Sequence, residues 1–256
     1  MVVSDSAIFD VSELTSSLRY FVTREEAYRM QFLQKNYGHG FDGYSYCGQE
    51  DSSHQAADDL LHSFVLSEFY PAARFPVEFH SYLARDWQPL ISVVRDLESS
   101  ILRRALPAYI YDQYRASMGH MLSANYYPPV GEFDHRAEGG GRLSAHPDVS
   151  LLTVFPYGID RDFQYRDNRG QWRHVPATDR IVAFPGYLLQ WLTNGAVQAL
   201  DHRVCLSADA AGSERFSFAI FSLPRPGAVL YRETPAGREE ITAENYFREY
   251  LSLWDY

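Results

Sequence analysis

The sequence HPDVSLLT, residues 146–153, places two metal-binding side chains just before an apolar strand. Residues i and i+2 of a β-strand point to the same side, so His146 and Asp148 can aim at one ion. Two histidines and one carboxylate on one face of a metal leave other coordination positions open. In a chain with 9 His, about one His-x-acid match is expected by chance. The pair therefore needs support from the surrounding sequence.

The chain changes character near residue 116. After that point, short apolar and aromatic runs alternate with Gly, Pro, Asn and Asp, which favours an antiparallel sandwich or barrel. Strands are predicted at 118–127, 142–146, 150–155, 162–166, 172–175, 180–184, 188–192, 197–205 and 215–223. The sequence Asp167-Asn168-Arg169-Gly170 predicts a hairpin turn between two of these strands.

The residues before 116 have a helical pattern. Between 76 and 105 the apolar side chains follow a period of 3.6 residues, and Pro89 predicts a kink or a fresh start. Further helices are predicted at 57–66 and 243–254. We expect a single domain over 1–256, made of three portions. These are a helical portion at 1–115, a β-rich core at 116–225 and a C-terminal helix region at 226–256.

The composition is typical of a globular protein and narrows the choice of partners. The formal net charge of −10 over 256 residues disfavours nucleic acid as a partner. The 2 Cys do not form a disulfide framework, no apolar run could span a membrane, and the N-terminus lacks a signal-peptide pattern. We therefore expect a cytoplasmic protein without a membrane partner. Lys35 is the only lysine, and this bias towards Arg is typical of a GC-rich bacterial genome.

Five sequence elements, in a fixed order, carry a resemblance to a known family. They are Asn125-Tyr126-Tyr127-Pro128, the 146–153 segment, the Phe163-Gln164-Tyr165 to Gly170-Gln171-Trp172 hairpin, the Thr193-Asn194-Gly195 to His202-Arg203-Val204 segment, and Arg215-Phe216-Ser217. In this order they resemble the isopenicillin-N-synthase-like branch of the iron(II)/2-oxoglutarate dioxygenases. The resemblance covers about 118–224.

The resemblance implies a fold, a cofactor set and roles for matching residues. The fold is a double-stranded β-helix, or jelly-roll barrel, flanked by helices. His146, Asp148 and His202 become the ligands of iron(II). Arg215 and Ser217 hold the distal carboxylate of 2-oxoglutarate, and Asn125 and Tyr127 contact this co-substrate from the opposite wall. Molecular oxygen is the third reagent. Arginine suits this role because its planar fork matches a carboxylate.

The chain also departs from the family pattern. Gly186-Tyr187 stands where the family has Gly-Asp, and the N-terminal module is shorter. What covers the pocket is therefore open between a partner subunit and the Gly-rich loop 36–48. His135 and Gly139 to Gly141 lie in a segment that is either a surface loop or a lid. Three further aromatic side chains either line the substrate pocket or pack in the core: Phe155, Trp191 and Phe221.

The predicted activity is the oxidation of a small molecule, by hydroxylation, desaturation or ring closure, in bacterial specialised metabolism. Two alternatives stay open. One is a 2-oxoglutarate-independent iron oxidase or cyclase of the isopenicillin N synthase type. The other is a non-catalytic metal-binding jelly roll. The ligands also do not fix the metal, since zinc accepts two His and a carboxylate. A monomer and a homodimer are equally compatible with the sequence.

Overall fold

The computed structural model describes residues 1–4, 9–38, 41–49, 59–129, 141–205 and 212–253. Its strands are β1 Val2–Ser4, β2 Gly43–Ser45, β3 His62–Ser67, β4 Met118–Tyr127, β5 Gly141–His146, β6 Leu152–Phe155, β7 Phe163–Arg166, β8 Trp172–His174, β9 Ile181–Pro185, β10 His202–Cys205, β11 Arg215–Pro224, β12 Val229–Thr234 and β13 Gly237–Thr242. Its α-helices are α1 Ser12–Val22, α2 Glu26–Arg29, α3 His80–Arg85, α4 Trp87–Ala105, α5 Ala108–Ser117, α6 Tyr187–Leu192 and α7 Ala243–Ser252.

Two antiparallel sheets form a jelly roll. The larger sheet has the order β1-β9-β6-β11-β4-β3-β2, and a four-stranded sheet has the order β5-β10-β7-β8. Non-sequential neighbours such as β6 and β11 show that the chain crosses between strands that are far apart in sequence. The predicted fold class is therefore confirmed.

The larger sheet is covered on both faces. Its outer face packs against α1 and α4 in one hydrophobic core, where Phe21 of α1 meets Phe64 of β3 edge-on with ring centroids 4.9 Å apart. Its inner face carries the alternate side chains, such as Ser63 and Val65, which line a cavity. Strand residues alternate between faces, so both sets of side chains in β3 are buried.

Several sequence predictions of secondary structure were wrong. Residues 57–66 were predicted as helix, but β3 occupies His62–Ser67. Residues 188–192 were predicted as strand, but α6 occupies Tyr187–Leu192. Helix α5 and the β12–β13 hairpin were not predicted. The predicted C-terminal helix is present as α7, and Thr242 caps it by accepting a hydrogen bond from the amide of Asn245.

The predicted helix at 76–105 is broken before Pro89 rather than at it. Helix α3 ends at Arg85 and α4 begins at Trp87, so Pro89 lies in the first turn of α4. A proline is tolerated there because the first-turn amides have no partner within the helix. The division of the chain into three portions stays a prediction, and the N-terminal portion contributes β1, β2 and β3 to the larger sheet. None of the described helices has the length and apolar character needed to cross a membrane.

Candidate metal centre

Three potential ligands converge where the two sheets meet. His146 is the last residue of β5 and His202 the first of β10, and the two are paired across the strands. Asp148 follows two residues after β5 ends. One ligand atom from each of the three side chains lies within 4.8 Å of the other two. In the described part of the chain, no other group of three such residues comes this close together.

The two imidazoles are oriented for metal binding. Nδ1 of His146 lies 2.8 Å from the carbonyl oxygen of Ser144, and Nδ1 of His202 lies 3.2 Å from that of Leu200. A carbonyl only accepts, so each Nδ1 carries the proton and each Nε2 has a free lone pair. Both Nε2 atoms face Oδ1 of Asp148, at 3.6 and 3.8 Å.

The second carboxylate oxygen of Asp148, Oδ2, is fixed by a hydrogen bond. The hydroxyl of Thr153 donates to Oδ2 of Asp148 at 2.6 Å, and the hydroxyl of Ser150 lies 2.7 Å from that of Thr153. Oδ2 is therefore engaged, while Oδ1 is left for an ion. Gly186 lies against this segment, since a Cβ built on it would come within 2.2 Å of the carbonyl oxygen of Ser150.

Helix α7 is tied to the same segment of chain. The hydroxyl of Tyr250 donates to the carbonyl oxygen of Pro147 at 2.7 Å, and that of Tyr246 donates to the carbonyl oxygen of Val149. These two carbonyls belong to the residues on either side of Asp148. The sequence indicated a helix here but gave no sign of this contact.

The three side chains shift one another's pKa values. Burial would raise the pKa of Asp148, but the neighbouring His202 and His146 lower it below its ordinary value. Burial lowers the pKa of His202, and the charge of Asp148 offsets this only in part. Burial also acts to lower the pKa of His146, but the hydrogen bond and charge of Asp148 raise it. The carboxylate is therefore ionised at neutral pH, as metal binding requires.

The centre opens into a cavity of about 560 Å³, within the usual size range of small-molecule sites. Strands β4 and β11 form its central wall. They pair Ser217 with Asn125 and Arg215 with Tyr127. Three of these four residues line the cavity: Asn125, Tyr127 and Ser217. The expectation that Asn125 and Tyr127 lie on the wall opposite Ser217 was wrong, because β4 and β11 are neighbouring strands and place these residues side by side.

Arg215 lies on the same face of β11 as Ser217, two residues along the strand, beside Tyr127. Its guanidinium is 4.7 Å from the centre of the Tyr127 ring, and it forms an ion pair with Asp160 through Nε at 2.6 Å and Nη2 at 3.3 Å. The third nitrogen, Nη1, is buried and makes no hydrogen bond with any described residue. An unsatisfied buried donor is costly, so this atom fits the role of holding an anionic ligand. Asp160 was not singled out by the sequence analysis, because nothing in its spacing sets it apart.

The predicted substrate-pocket residues divide into two groups. Phe155 and Phe221 line the cavity. Trp191 does not belong to its described lining: it is 6 % exposed, and the guanidinium of Arg232 lies over its ring at 4.6 Å. Of its two alternatives, Trp191 therefore takes the core position, in a cluster that also contains the cavity-lining residues Val65 and Met121. The sequence analysis missed Val65, Met121 and Tyr250, which do line the cavity.

The loop 36–48 contributes to the cavity through Phe41, and Gln34 and Gln49 beside it also line the wall. The residues 39–40 of this loop lie outside the described part of the chain, as do His135 and most of the predicted lid segment.

The donor set fits a divalent transition metal. Two neutral imidazole nitrogens and one carboxylate oxygen on one side leave the cavity side open, which is the arrangement of non-haem iron(II) centres. The order of the site elements along the chain also agrees with a known family. The family model described as the 2OG-Fe(II) oxygenase superfamily matches residues 118–224. This match includes all the residues of the candidate centre, so the region that forms the site is similar to the 2OG-Fe(II) oxygenase superfamily. The resemblance drawn from the five sequence elements is thus confirmed.

Individual superfamily members are distant in sequence. A feruloyl CoA ortho-hydroxylase of Ipomoea batatas is 28 % identical over 177 residues, which cover 67 % of this chain and 47 % of that protein. The 1-aminocyclopropane-1-carboxylate oxidase homolog 3 of Arabidopsis thaliana is 27 % identical over 278 residues, covering 94 % and 73 %. The chain therefore spans about half the length of the first relative. Both relatives are plant proteins, so the bacterial setting stays a prediction.

Solved structures of other proteins share the fold. A full-length Neurospora crassa protein in complex with alpha-KG has a TM-score of 0.70 at 18 % identity, covering 94 % of this chain and 82 % of that one. The rice dioxygenase for auxin oxidation has a TM-score of 0.66 at 17 % identity, covering 94 % and 81 %. At this level of identity the likeness concerns the architecture of the jelly roll.

Proposed function

We propose that this protein is an iron(II)- and 2-oxoglutarate-dependent oxygenase of small molecules. The observation that carries the proposal is the convergence of His146 Nε2, His202 Nε2 and Asp148 Oδ1 at a cavity that Asn125 and Ser217 also line. A structural metal site is usually closed by four protein ligands, whereas this one leaves its cavity side open.

The chain's own groups supply binding and orientation. Bound iron(II) would activate molecular oxygen, and this chemistry would oxidise an unreactive carbon–hydrogen bond. Arg215 offers Nη1 to the distal carboxylate of 2-oxoglutarate, and Ser217 and the amide group of Asn125 offer hydrogen bonds beside it. The apolar walls around the triad limit access of water, which strengthens these polar contacts.

The proposal is tested by anaerobic iron(II) titration together with 2-oxoglutarate consumption in air. We expect Asp148→Ala to abolish stoichiometric iron(II) binding and succinate release. The matched control is Asp201→Ala, which removes a neighbouring carboxylate that is 43 % exposed and lies 3.7 Å from Arg166. Iron(II) binding by Asp148→Ala that equals the control would refute the proposed ligand set.

A 2-oxoglutarate-independent oxidase is the second candidate, because Asp160 already occupies two nitrogens of Arg215. The stoichiometry separates the two. With labelled 2-oxoglutarate, about one succinate per two-electron oxidation supports the first candidate. Product formed at full rate without 2-oxoglutarate supports the second and leaves the ligand triad in place. Whether the product is hydroxylated, desaturated or cyclised follows from identifying it by mass spectrometry.

A further inference from the structure

The cavity extends in two directions from the triad. On β4, Tyr127 and Met121 face the cavity from positions six residues apart, which corresponds to about 20 Å along a strand. The co-substrate residues Asn125, Tyr127 and Ser217 lie towards one end. Met121 lies at the other end, paired across the strands with Phe221 of β11.

The triad is closely linked to the Met121 end. Phe221 pairs in turn with Thr153 of β6, whose hydroxyl holds Asp148. The wall at this end continues into β3, into α7 and into the loop between α2 and β2. We call this end the apolar arm, and its lining side chains are Phe41, Val65, Met121, Val149, Phe221 and Leu251.

Among the described residues that line the cavity, the only ionisable side chains outside the triad are Tyr127 and Tyr250. Two of the polar side chains that line the cavity, Tyr250 and Gln34, make hydrogen bonds to backbone carbonyls. The hydroxyl of Tyr250 donates to Pro147, and the amide of Gln34 donates to the carbonyl oxygen of Phe41 at 3.3 Å. Nearer the co-substrate wall, the hydroxyl of Ser123 donates to Oδ1 of Asn125 at 3.0 Å.

A charged ligand in this arm would lose its hydration without gaining a partner, which is strongly unfavourable. An apolar ligand would gain from the burial of its surface against aromatic, branched and thioether side chains. Met121 adds adaptability, since its unbranched side chain fits irregular shapes. We infer that the substrate is a neutral, mainly apolar small molecule, held in the apolar arm between Val65 and Met121 on the sheet and Leu251 on α7. This inference rests on the proposed function.

The test compares two probes that share one ring system and differ in charge and by one methyl group. Methyl 2-naphthoate is neutral, whereas 2-naphthoate carries a carboxylate on the same ring system. Binding of each is measured anaerobically by calorimetry to the protein loaded with iron(II) and 2-oxoglutarate, so that no turnover is needed. We expect the ester to bind at least about tenfold more tightly than the carboxylate. Equal affinity, tighter binding of the carboxylate, or no binding of the ester at millimolar concentration overturns the inference.

Variants then locate the binding. Val65→Phe fills the arm with an uncharged side chain and should weaken ester binding at least about tenfold. Met121→Leu conserves volume and should keep ester binding within about threefold, which shows that the arm still folds. Val77→Phe is the surface control, because Val77 is 62 % exposed and lies outside the cavity lining. Ester binding by Val65→Phe that equals this control also overturns the inference.

Iron(II) titration of the same samples distinguishes a failure of the proposed function from a failure of the inferred substrate class. Ester preference without iron(II) binding means that the proposed function fails and the apolar arm stands as a ligand site. Normal iron(II) binding and 2-oxoglutarate consumption without ester preference means that the substrate class alone is wrong.

Discussion

The hydroxyl of Thr153 donates to Oδ2 of Asp148 at 2.6 Å, and this bond fixes which carboxylate oxygen faces the two histidines. We expect Thr153→Val, which keeps the side-chain shape, to lower iron(II) affinity about 10- to 100-fold, the usual cost of losing a group that orients a metal ligand. Anaerobic iron(II) titration measures it. Thr23→Val, at the exposed end of α1, is the control and should bind iron(II) normally. Unchanged iron(II) affinity in Thr153→Val would show that Asp148 keeps its orientation without this hydrogen bond.

Gly186 should be essential for steric reasons. A Cβ at this position would come within 2.2 Å of the carbonyl oxygen of Ser150 and 2.9 Å of that of Asp148, both of which are backbone atoms. We expect Gly186→Ala to lower the free energy of unfolding by about 1–3 kcal/mol and to weaken iron(II) binding. Gly212→Ala is the control, because its Cβ would have no neighbour within 4 Å. Urea unfolding and iron(II) titration measure both effects, and equal stability of the two variants would contradict the steric argument.

Arg215 should decide the affinity for 2-oxoglutarate. A charged hydrogen-bonded pair contributes about 1.5–3 kcal/mol, so Arg215→Leu should raise the Michaelis constant for 2-oxoglutarate about ten- to a hundred-fold with a smaller effect on iron(II). Arg166→Leu is the control, since Arg166 is 53 % exposed. An unchanged Michaelis constant in Arg215→Leu would remove Arg215 from the co-substrate site.

His120 makes stability depend on pH far from the metal centre. Nε2 of His120 lies 2.8 Å from Oε2 of Glu98, and both side chains are buried. Burial would lower the pKa of His120, but the charges and hydrogen bonds of Glu98 and Glu68 raise it to about 9. His120 thus binds its proton more tightly in the folded state than in the unfolded state, in which its pKa is about 6.5. The stabilisation is complete below about pH 6.5 and is lost as the pH rises towards about 9.

Urea unfolding of the wild type and of His120→Gln tests this. The stability difference between the two proteins should be largest near about pH 6 and should shrink by about 1–3 kcal/mol by about pH 9.5. A comparison with the variant removes the contribution of other titrating groups. A difference that stays constant over this range would mean that the pKa of His120 is the same in the folded and unfolded states.

Sequence patterns predicted the convergence of the three candidate ligands better than the secondary structure around them. His146, Asp148 and His202 come together because the spacing of two residues and the pairing of β5 with β10 both act through strand geometry, which the sequence motif encodes. The hairpin turn at Asp167 to Gly170 was predicted for the same reason, and the turn joins β7 to β8. Local spacing therefore carries information wherever a short stretch of backbone determines the direction of a side chain.

The wrong predictions have their cause in contacts with parts of the chain that are distant in sequence. In β3, Phe64 faces the helices while Val65 faces the cavity, so the strand shows no alternation and its apolar spacing resembles a helix. The short apolar run at 188–192 is equally ambiguous, and Gly186 beside it starts a helix instead. Asp160 and Tyr250 act through contacts made over long sequence separations, and no motif in a single sequence marks them.

The hydroxyls of Tyr246 and Tyr250, which bracket Asp148 from α7, also bear on the order in which the centre forms during synthesis. Chains fold from the N-terminal side as they leave the ribosome. Both histidines and Asp148 therefore emerge before the helix that fixes the backbone around Asp148. The centre reaches its final geometry only after α7 has docked, so a nascent chain halted before Tyr246 should hold iron(II) less tightly than the released protein.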